Sequence, residues 1–122
     1  MRYMLLIYDD EQQWATMTPE ESGQMMKEYF EYSTWLQGKG WFKGGDPLQR
    51  TATAKTVRVR DGELQVTDGP FAETKEQLGG YYEVECEKEQ DVIEAARRIP
   101  SARLGSIEVR PIMEIPSQTG PA

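Results

Sequence analysis

Two helix-like segments separate the strand-like segments of this sequence, and their order restricts the fold more than any other feature. Apolar residues recur at helical spacing in residues 18–38 and 89–99, whereas residues 3–8, 79–86 and 106–115 have the composition of strands. The order is strand, helix, strand with a hairpin, strand, helix, strand. Without the extra hairpin, this is the split βαβ sheet of a ferredoxin-like α+β fold. We predict one domain over residues 1–115 and a flexible C-terminal tail, 116–122.

Local signals mark the first helix. Thr18 is a good N-cap, Pro19 suits the first helical position, and Glu21 completes a capping box. The glycines at 38 and 40 predict the end of the helix, one of them as a left-handed cap. The residues predicted to face the core are Met25, Met26, Tyr29, Phe30, Ser33 and Leu36.

The remaining segments carry signals of the same kind. Asp61 and Gly62 predict a type I′ turn in the hairpin. Residues 44–47, Gly-Gly-Asp-Pro, predict a turn or bulge, and residues 9–13 are expected to form an acidic loop. The second helix should face the core with Val92, Ile93, Ala96 and Ile99.

The first strand predicts a dimer. Residues 3–8 are apolar at nearly every position, whereas a strand with one face in solvent should alternate. Both helices are expected on the same face of the sheet, so the other face needs a partner. The simplest partner is a second copy related by a two-fold axis. We therefore expect a homodimer with sheets packed face to face in a dimeric α+β barrel, and Leu5 or Leu6 at the centre of the interface.

Composition excludes several classes of function. The net charge of −7 disfavours direct nucleic-acid binding and docking on anionic membranes. No apolar stretch is long enough to cross a bilayer, and the first one is too short for a signal peptide. Cys86 is the single cysteine, which excludes an intrachain disulfide and favours a cytoplasmic location. Histidine is absent, so neither a metal site nor a cofactor is predicted.

The candidate site is a charged loop. Residues 67–80, TDGPFAETKEQLGG, lie between two strand-like segments, and residues 70–76 predict a short helical turn. In one interpretation Asp68 caps backbone amides, Phe71 and Leu78 fix the loop to the core, and the charges are solvated. In the other, the loop holds Asp68, Glu73 and Lys75 over a cleft, where they bind a small molecule and Asp68 is the candidate catalytic base. Residue types alone leave both interpretations open.

Two further residues are candidates for ligand binding. Arg103 follows the second helix and has the fork geometry that binds a carboxylate or phosphate, although a surface arginine explains it as well. Asp46 precedes a proline and either faces the cleft or forms a turn. Cys86 lies on a predicted strand and is interpreted as a structural thiol rather than a nucleophile.

The whole chain resembles a known family. Residues 68–76, DGPFAETKE, are similar to the signature of the DGPF-type branch of the YCII-related family, and the similarity extends through QLGGYY, IPSARLGSIEVRPIMEI and MRYMLLIYDD. The resemblance implies a ferredoxin-like fold that dimerises as an α+β barrel. It also implies a gene near, or fused to, an extracytoplasmic-function sigma factor. Some family members are suspected enzymes because of a His–Asp pair, but this chain has no histidine, and Ile99 stands where the aspartate is expected.

Two functions follow as hypotheses. The first is a small-molecule binding or sensing module, linked through a sigma factor to transcription. The alternative is a small enzyme that uses Asp, Lys and Arg acid–base chemistry in a cleft beside the charged loop. The missing histidine favours the first hypothesis.

Overall fold

The computed structural model describes residues 1–116. The predicted tail therefore lies outside the described residues, apart from its first residue. The elements in chain order are β1 (Arg2–Asp9), α1 (Glu11–Ala15), α2 (Pro19–Gly38), β2 (Phe42–Pro47), a 3-10 helix (Thr51–Thr53), β3 (Lys55–Arg60), β4 (Glu63–Asp68), β5 (Gln77–Glu85), α3 (Glu89–Arg97), a second 3-10 helix (Pro100–Arg103) and β6 (Ser106–Pro111).

One antiparallel four-stranded sheet forms the body of the protein. Its strand order is β2-β5-β1-β6, and within residues 1–116 β3 pairs only with β4, in a separate two-stranded sheet. Removing the β3–β4 hairpin leaves two βαβ halves with their strands interleaved, which is the ferredoxin-like arrangement. The predicted α+β fold with an extra hairpin is confirmed at this level. No helix within residues 1–116 is both long and apolar enough to cross a membrane.

The core lies between one face of this sheet and the helices. Leu5 and Ile7 of β1 and Val84 of β5 are buried there against side chains from α2 and α3. Leu6 alternates to the opposite face and is half-buried. Placing Leu5 at a dimer interface was therefore wrong, because Leu5 is fully enclosed in its own core.

Helix α2 begins as predicted. Glu21 N–H donates to Thr18 Oγ1 over 3.1 Å, and Thr18 N–H donates to Glu21 Oε1 over 2.9 Å, so the capping box is complete. Gly40 follows the helix with φ of 76°, in the left-handed region that glycine adopts readily. The hairpin turn is also confirmed, because Asp61 and Gly62 have φ of 51° and 77°.

The buried face of α2 is rotated from the predicted one. Met25 and Leu36 are buried, but Met26 and Phe30 are exposed, Phe30 by 76%. Tyr32 is buried instead, and its hydroxyl donates to the Ala95 carbonyl of α3 over 2.7 Å. The buried ridge follows positions 25, 29, 32 and 36, so neighbouring apolar residues at 26 and 30 lie beside it rather than on it.

Two other local predictions were wrong, and a third is confirmed in one of its two alternatives. Residues 11–15 form α1 rather than a loop, because Asp10 Oδ1 accepts from Gln12 N–H over 2.9 Å and caps the helix. Ile93 of α3 is half exposed, and Ala95 takes a core position in its place. Residues 44–47 were predicted to form a turn or a bulge, and the bulge is confirmed, because β2 continues through them after a register shift between Phe42 and Gly44.

Candidate functional site

A cleft of about 970 Å³ opens between α2 and the β2–β5 side of the sheet. Helix α1 and residues 48–50 form its other walls. Six aromatic residues line it: Trp14, Tyr29, Phe30, Phe42, Tyr81 and Tyr82. A concave, mostly apolar site with a few polar groups is the usual form of a small-molecule binding site.

Asp9 supplies a buried carboxylate to this cleft. The residue ends β1, lines the cleft and is only 4% exposed. Asp10 then caps α1, and this short helix brings Trp14 back towards the strand. Trp14 Nε1–H donates to Asp9 Oδ2 over 2.8 Å. Within residues 1–116 this is the single hydrogen bond that the Asp9 carboxylate accepts, and no lysine or arginine nitrogen lies within 4.0 Å of it.

Two tyrosines place hydroxyls along the α2 wall. Tyr29 shares a hydrogen bond of 2.6 Å with Ser101, and Tyr82 shares one of 3.2 Å with Ser33. Burial raises the pKa of Tyr29 to about 12, and the charge of Asp9 adds to this shift. Burial also raises the pKa of Tyr82. Both phenols therefore stay protonated at neutral pH and act as neutral hydrogen-bonding groups.

The rim of the cleft is held together by Glu11. Its two carboxylate oxygens accept from Thr51 N–H over 2.7 Å and from Thr51 Oγ1–H over 3.0 Å. Glu11 N–H donates to Gln77 Oε1 over 3.0 Å. These bonds connect α1 to the first 3-10 helix and to β5. The carboxylate of Glu11 is therefore already occupied by its own chain. Lys27 and Arg50 also line the cleft, where both side chains are exposed.

Among the sequence-predicted residues, Asp46 lies at this cleft. It is exposed on β2, and its Oδ2 accepts from the Tyr81 hydroxyl over 2.8 Å. Asp68, Glu73 and Lys75 do not line the cleft and are exposed. These three residues do not lie in this cleft. Their roles in ligand binding, and the role of Asp68 as a base, stay predictions.

The charged loop itself differs from its prediction. Residues 70–76 form no helical turn, and Asp68 ends β4 rather than capping a helix. The cross-strand register sets Asp68 opposite Lys55, and the two side chains form an exposed ion pair. Phe71 is 80% exposed and does not fix the loop to the core, whereas Leu78 is half-buried within β5.

Arg103 lies on the other side of α2 from this cleft's walls and is already paired. Its Nη2 is 2.8 Å from Glu28 Oε2, beside a shallow depression of about 340 Å³. Ligand binding by Arg103 stays a prediction. Cys86 is buried, and burial raises the pKa of its thiol, which fits the interpretation as a structural residue. The part of the chain from 1 to 116 contains no group of three or more acidic, histidine or cysteine side chains placed to hold a metal ion.

Sequence reasoning missed Asp9, Trp14 and Tyr29 as site residues. Asp9 and Asp10 end an apolar strand, and a tryptophan follows within one short helix. An acidic pair at the end of a buried strand was the available signal. The two residues have different roles, because Asp10 caps α1 whereas Asp9 lines the cleft.

Comparison with known proteins identifies the family. Residues 1–116 match the YCII-related domain. The chain belongs to the YCII-related family. An uncharacterized protein of Rhizobium meliloti (strain 1021) is 36% identical to this YCII-related chain over 114 residues, which is 92% of each protein.

One solved structure is also similar. It is a 5-chloro-2-hydroxyhydroquinone dehydrochlorinase from Burkholderia phenoliruptrix AC1100, in complex with 2,5-dihydroxybenzoquinone. The two chains share 15% identity with a TM-score of 0.47, and the match covers 93% of this chain and 94% of the other.

Proposed function

We propose that this YCII-related protein is a small-molecule binding module whose ligand occupies the cleft between α2 and the β2–β5 side of the sheet. The observation that carries the proposal is the combination of about 970 Å³ of aromatic-lined space with the buried Asp9 carboxylate. Buried core residues such as Tyr32 and Leu36 do not line this space. Tyr29, Phe42 and Tyr82 pack against the core and leave the cleft beside them unfilled. A mostly apolar cavity with a few convergent polar or charged groups is the usual form of a small-molecule site.

The test compares two exposed phenylalanines. Phe30 lines the cleft and is 76% exposed, whereas Phe71 is 80% exposed and lies outside it. Neither truncation should unfold the protein, because neither ring is in the core. A thermal-shift screen of a metabolite panel would compare wild type, Phe30→Ala and Phe71→Ala.

We expect some compound to stabilise wild type and Phe71→Ala alike and to stabilise Phe30→Ala less. The proposal is contradicted if no compound stabilises the wild type, or if Phe30→Ala responds as the wild type does. Asp68→Ala belongs in the same screen. A shift that Asp68→Ala abolishes and Phe30→Ala retains would move the site to the charged loop.

The finer proposal is that binding serves sensing. Its support is the resemblance of residues 68–76 to the DGPF-type branch, whose genes lie near sigma factors. The check is co-purification of the protein with the sigma factor encoded nearest to it, with and without a ligand found in the screen. Absence of the complex in both states would contradict a link to transcription.

We also propose that the protein acts as a homodimer. The sheet face opposite the helices presents Met4, Leu6 and Tyr8, all half-buried. The hairpin adds a second apolar surface, because Val57 lies opposite Val66 and Val59 lies opposite Leu64 on one exposed face. A two-stranded hairpin is marginal in water by itself, so both surfaces favour association with a second copy.

Molar mass in solution tests the dimer. Leu6→Arg places a charge on the open sheet face and should give monomers. Gln24→Arg adds the same charge on the exposed side of α2 and should leave the dimer intact. Light scattering after size exclusion would report both. A wild type that is monomeric, or a Leu6→Arg variant that stays dimeric, contradicts the face-to-face arrangement.

A further inference from the structure

We propose that the cleft selects an organic cation, a protonated amine carried on an apolar body, and that Asp9 receives its ammonium group. This inference rests on the proposed function, because it names the class of ligand for the same cleft. Four features of the site carry it: the state of the Asp9 carboxylate, the aromatic walls, the position of the basic side chains and the space beside Gly79.

The Asp9 carboxylate has an oxygen to spare. Its Oδ2 accepts from Trp14 Nε1–H, while Oδ1 accepts no hydrogen bond from residues 1–116. The residue is 4% exposed, and no basic side chain of the described chain is paired with it. Burying a carboxylate is costly unless it is paired and hydrogen-bonded. An ammonium group supplies both the opposite charge and up to three N–H donors.

The walls suit the same ligand. Tyr29, Phe30, Phe42 and Tyr82 line the same cleft as Asp9, together with Trp14. The faces of aromatic rings attract cations, and an aromatic cage with a nearby carboxylate is a common way to bind an organic ammonium. Their apolar area would also bury the hydrocarbon part of the ligand. The tyrosine hydroxyls are bonded to serines, so they leave the ring faces as the main contacts.

The basic residues of the cleft are at the solvent side. Lys27 and Arg50 are exposed, so water screens their charges, whereas Asp9 is only 4% exposed and its charge is screened less. The chain as a whole carries a net charge of −7. Long-range attraction therefore also favours a cation over an anion.

Gly79 keeps the free oxygen accessible. A Cβ built on Gly79 would lie 3.3 Å from Asp9 Oδ1, closer than an ordinary van der Waals contact. Gly79 and Gly80 both line the cleft, so the bare backbone of β5 leaves room beside the carboxylate. A side chain at position 79 would press on the oxygen that we assign to the ammonium group.

The experiment uses titration calorimetry on the full chain to measure how tightly three matched indoles bind: tryptamine, its alcohol tryptophol and the anion indole-3-propionate. The phenyl series, 2-phenylethylamine, 2-phenylethanol and 3-phenylpropionate, repeats it with a smaller body. A charge-assisted hydrogen bond predicts that each amine binds about 10- to 100-fold more tightly than its alcohol. This comparison needs only the wild-type protein.

Asp9→Asn keeps the shape of the side chain and removes its charge. We expect it to weaken amine binding at least about 10-fold and to leave alcohol binding nearly unchanged. Asp61→Asn is the matched control at the exposed hairpin turn, where asparagine tolerates the positive φ, and it should not change amine binding. If Asp9→Asn does not fold, Gly79→Ala takes its place. We expect Gly79→Ala to weaken amine binding as well, by less than the roughly 10-fold loss expected for Asp9→Asn.

The outcomes separate this inference from the proposed function. If alcohols or anions bind as tightly as amines, the preference for a cation is wrong. If those compounds also bind less tightly to Phe30→Ala than to wild type, the cleft remains the ligand site. Amines that do not bind at all also overturn the cation. If no compound of either series or of the metabolite panel binds, both the inference and the proposed function fail.

Discussion

Replacing Trp14 with phenylalanine should show how much the indole–carboxylate bond stabilises the fold. The change removes the 2.8 Å hydrogen bond from Trp14 Nε1–H to Asp9 Oδ2 and keeps an aromatic ring in place. A hydrogen bond to a charged group contributes about 1.5–3 kcal/mol. The entropy of unfolding is about 2.1 cal/mol/K per residue, so the 116 described residues give about 0.24 kcal/mol/K. Each kcal/mol therefore lowers Tm by about 4 °C, and Trp14→Phe should lower it by about 6–12 °C.

A double-mutant cycle separates the bond from lost packing. Urea unfolding of Trp14→Phe, Asp9→Ala and the double variant should give a coupling energy above about 1 kcal/mol. Trp41→Phe is the control, because the Trp41 ring packs on Trp35 at a centroid distance of 5.8 Å and makes no bond to Asp9. It should show no coupling with Asp9→Ala. A coupling below about 0.5 kcal/mol for Trp14 would refute the idea that the indole holds the carboxylate.

Three further predictions follow from single sites. Gly105→Ala should lower the free energy of unfolding by about 3 kcal/mol in urea titrations, because a Cβ there would overlap the Tyr8 carbonyl oxygen of β1; a near-native midpoint would contradict this close packing. Phe71→Ala should change the free energy of unfolding by less than about 0.5 kcal/mol, since the ring is 80% exposed, and a large loss would mean that the loop packs on the core. The Arg97 and Arg98 side chains hold the pKa of Glu94 at about 2, below its usual 4.5. Wild type should therefore have a higher Tm than Glu94→Gln at neutral pH, and the difference in Tm should shrink as pH falls from about 4.5 to about 2. A difference in Tm that stays constant with pH would refute the pairing.

Interactions between near neighbours in the chain were predictable. The Thr18–Glu21 capping box and the Asp61–Gly62 turn each involve residues within one helical or β-turn. Their geometry follows from side-chain length and backbone preference, whatever the rest of the chain does. The order of elements was predictable for a similar reason, because strand and helix periods are properties of single segments.

The rotation of α2 was not predictable from periodicity. Phe30 is as apolar as any core residue, yet it borders the cleft, while Tyr32 enters the core. Tyr32 is stable there because its hydroxyl reaches the Ala95 carbonyl, 63 positions away. Hydropathy assigns no such partner, so it ranks the two residues in the wrong order.

The candidate site was not predictable either, because it depends on how the chain folds back on itself. Helix α1 has five residues, too few for a periodic pattern, so nothing in the sequence indicated that Trp14 would return to Asp9. The charged loop was predicted to be a site because of its density of charge. Its Asp68 meets Lys55 because the strand register places them opposite each other, and both remain in solvent.

The position of the hairpin in the sheet has a consequence for how this protein can vary. β2 and β5 are antiparallel neighbours, with Pro47 paired to Gly80, and Leu48 N–H donates to the Gly79 carbonyl over 2.9 Å. Residues 48–76 therefore leave and rejoin the sheet at adjacent points, as an insertion in what is otherwise a tight hairpin. Such a segment can be shortened, lengthened or exchanged while the sheet keeps its register. Since residues 48–50 also line the cleft, a change in this one insertion would reshape the proposed ligand site.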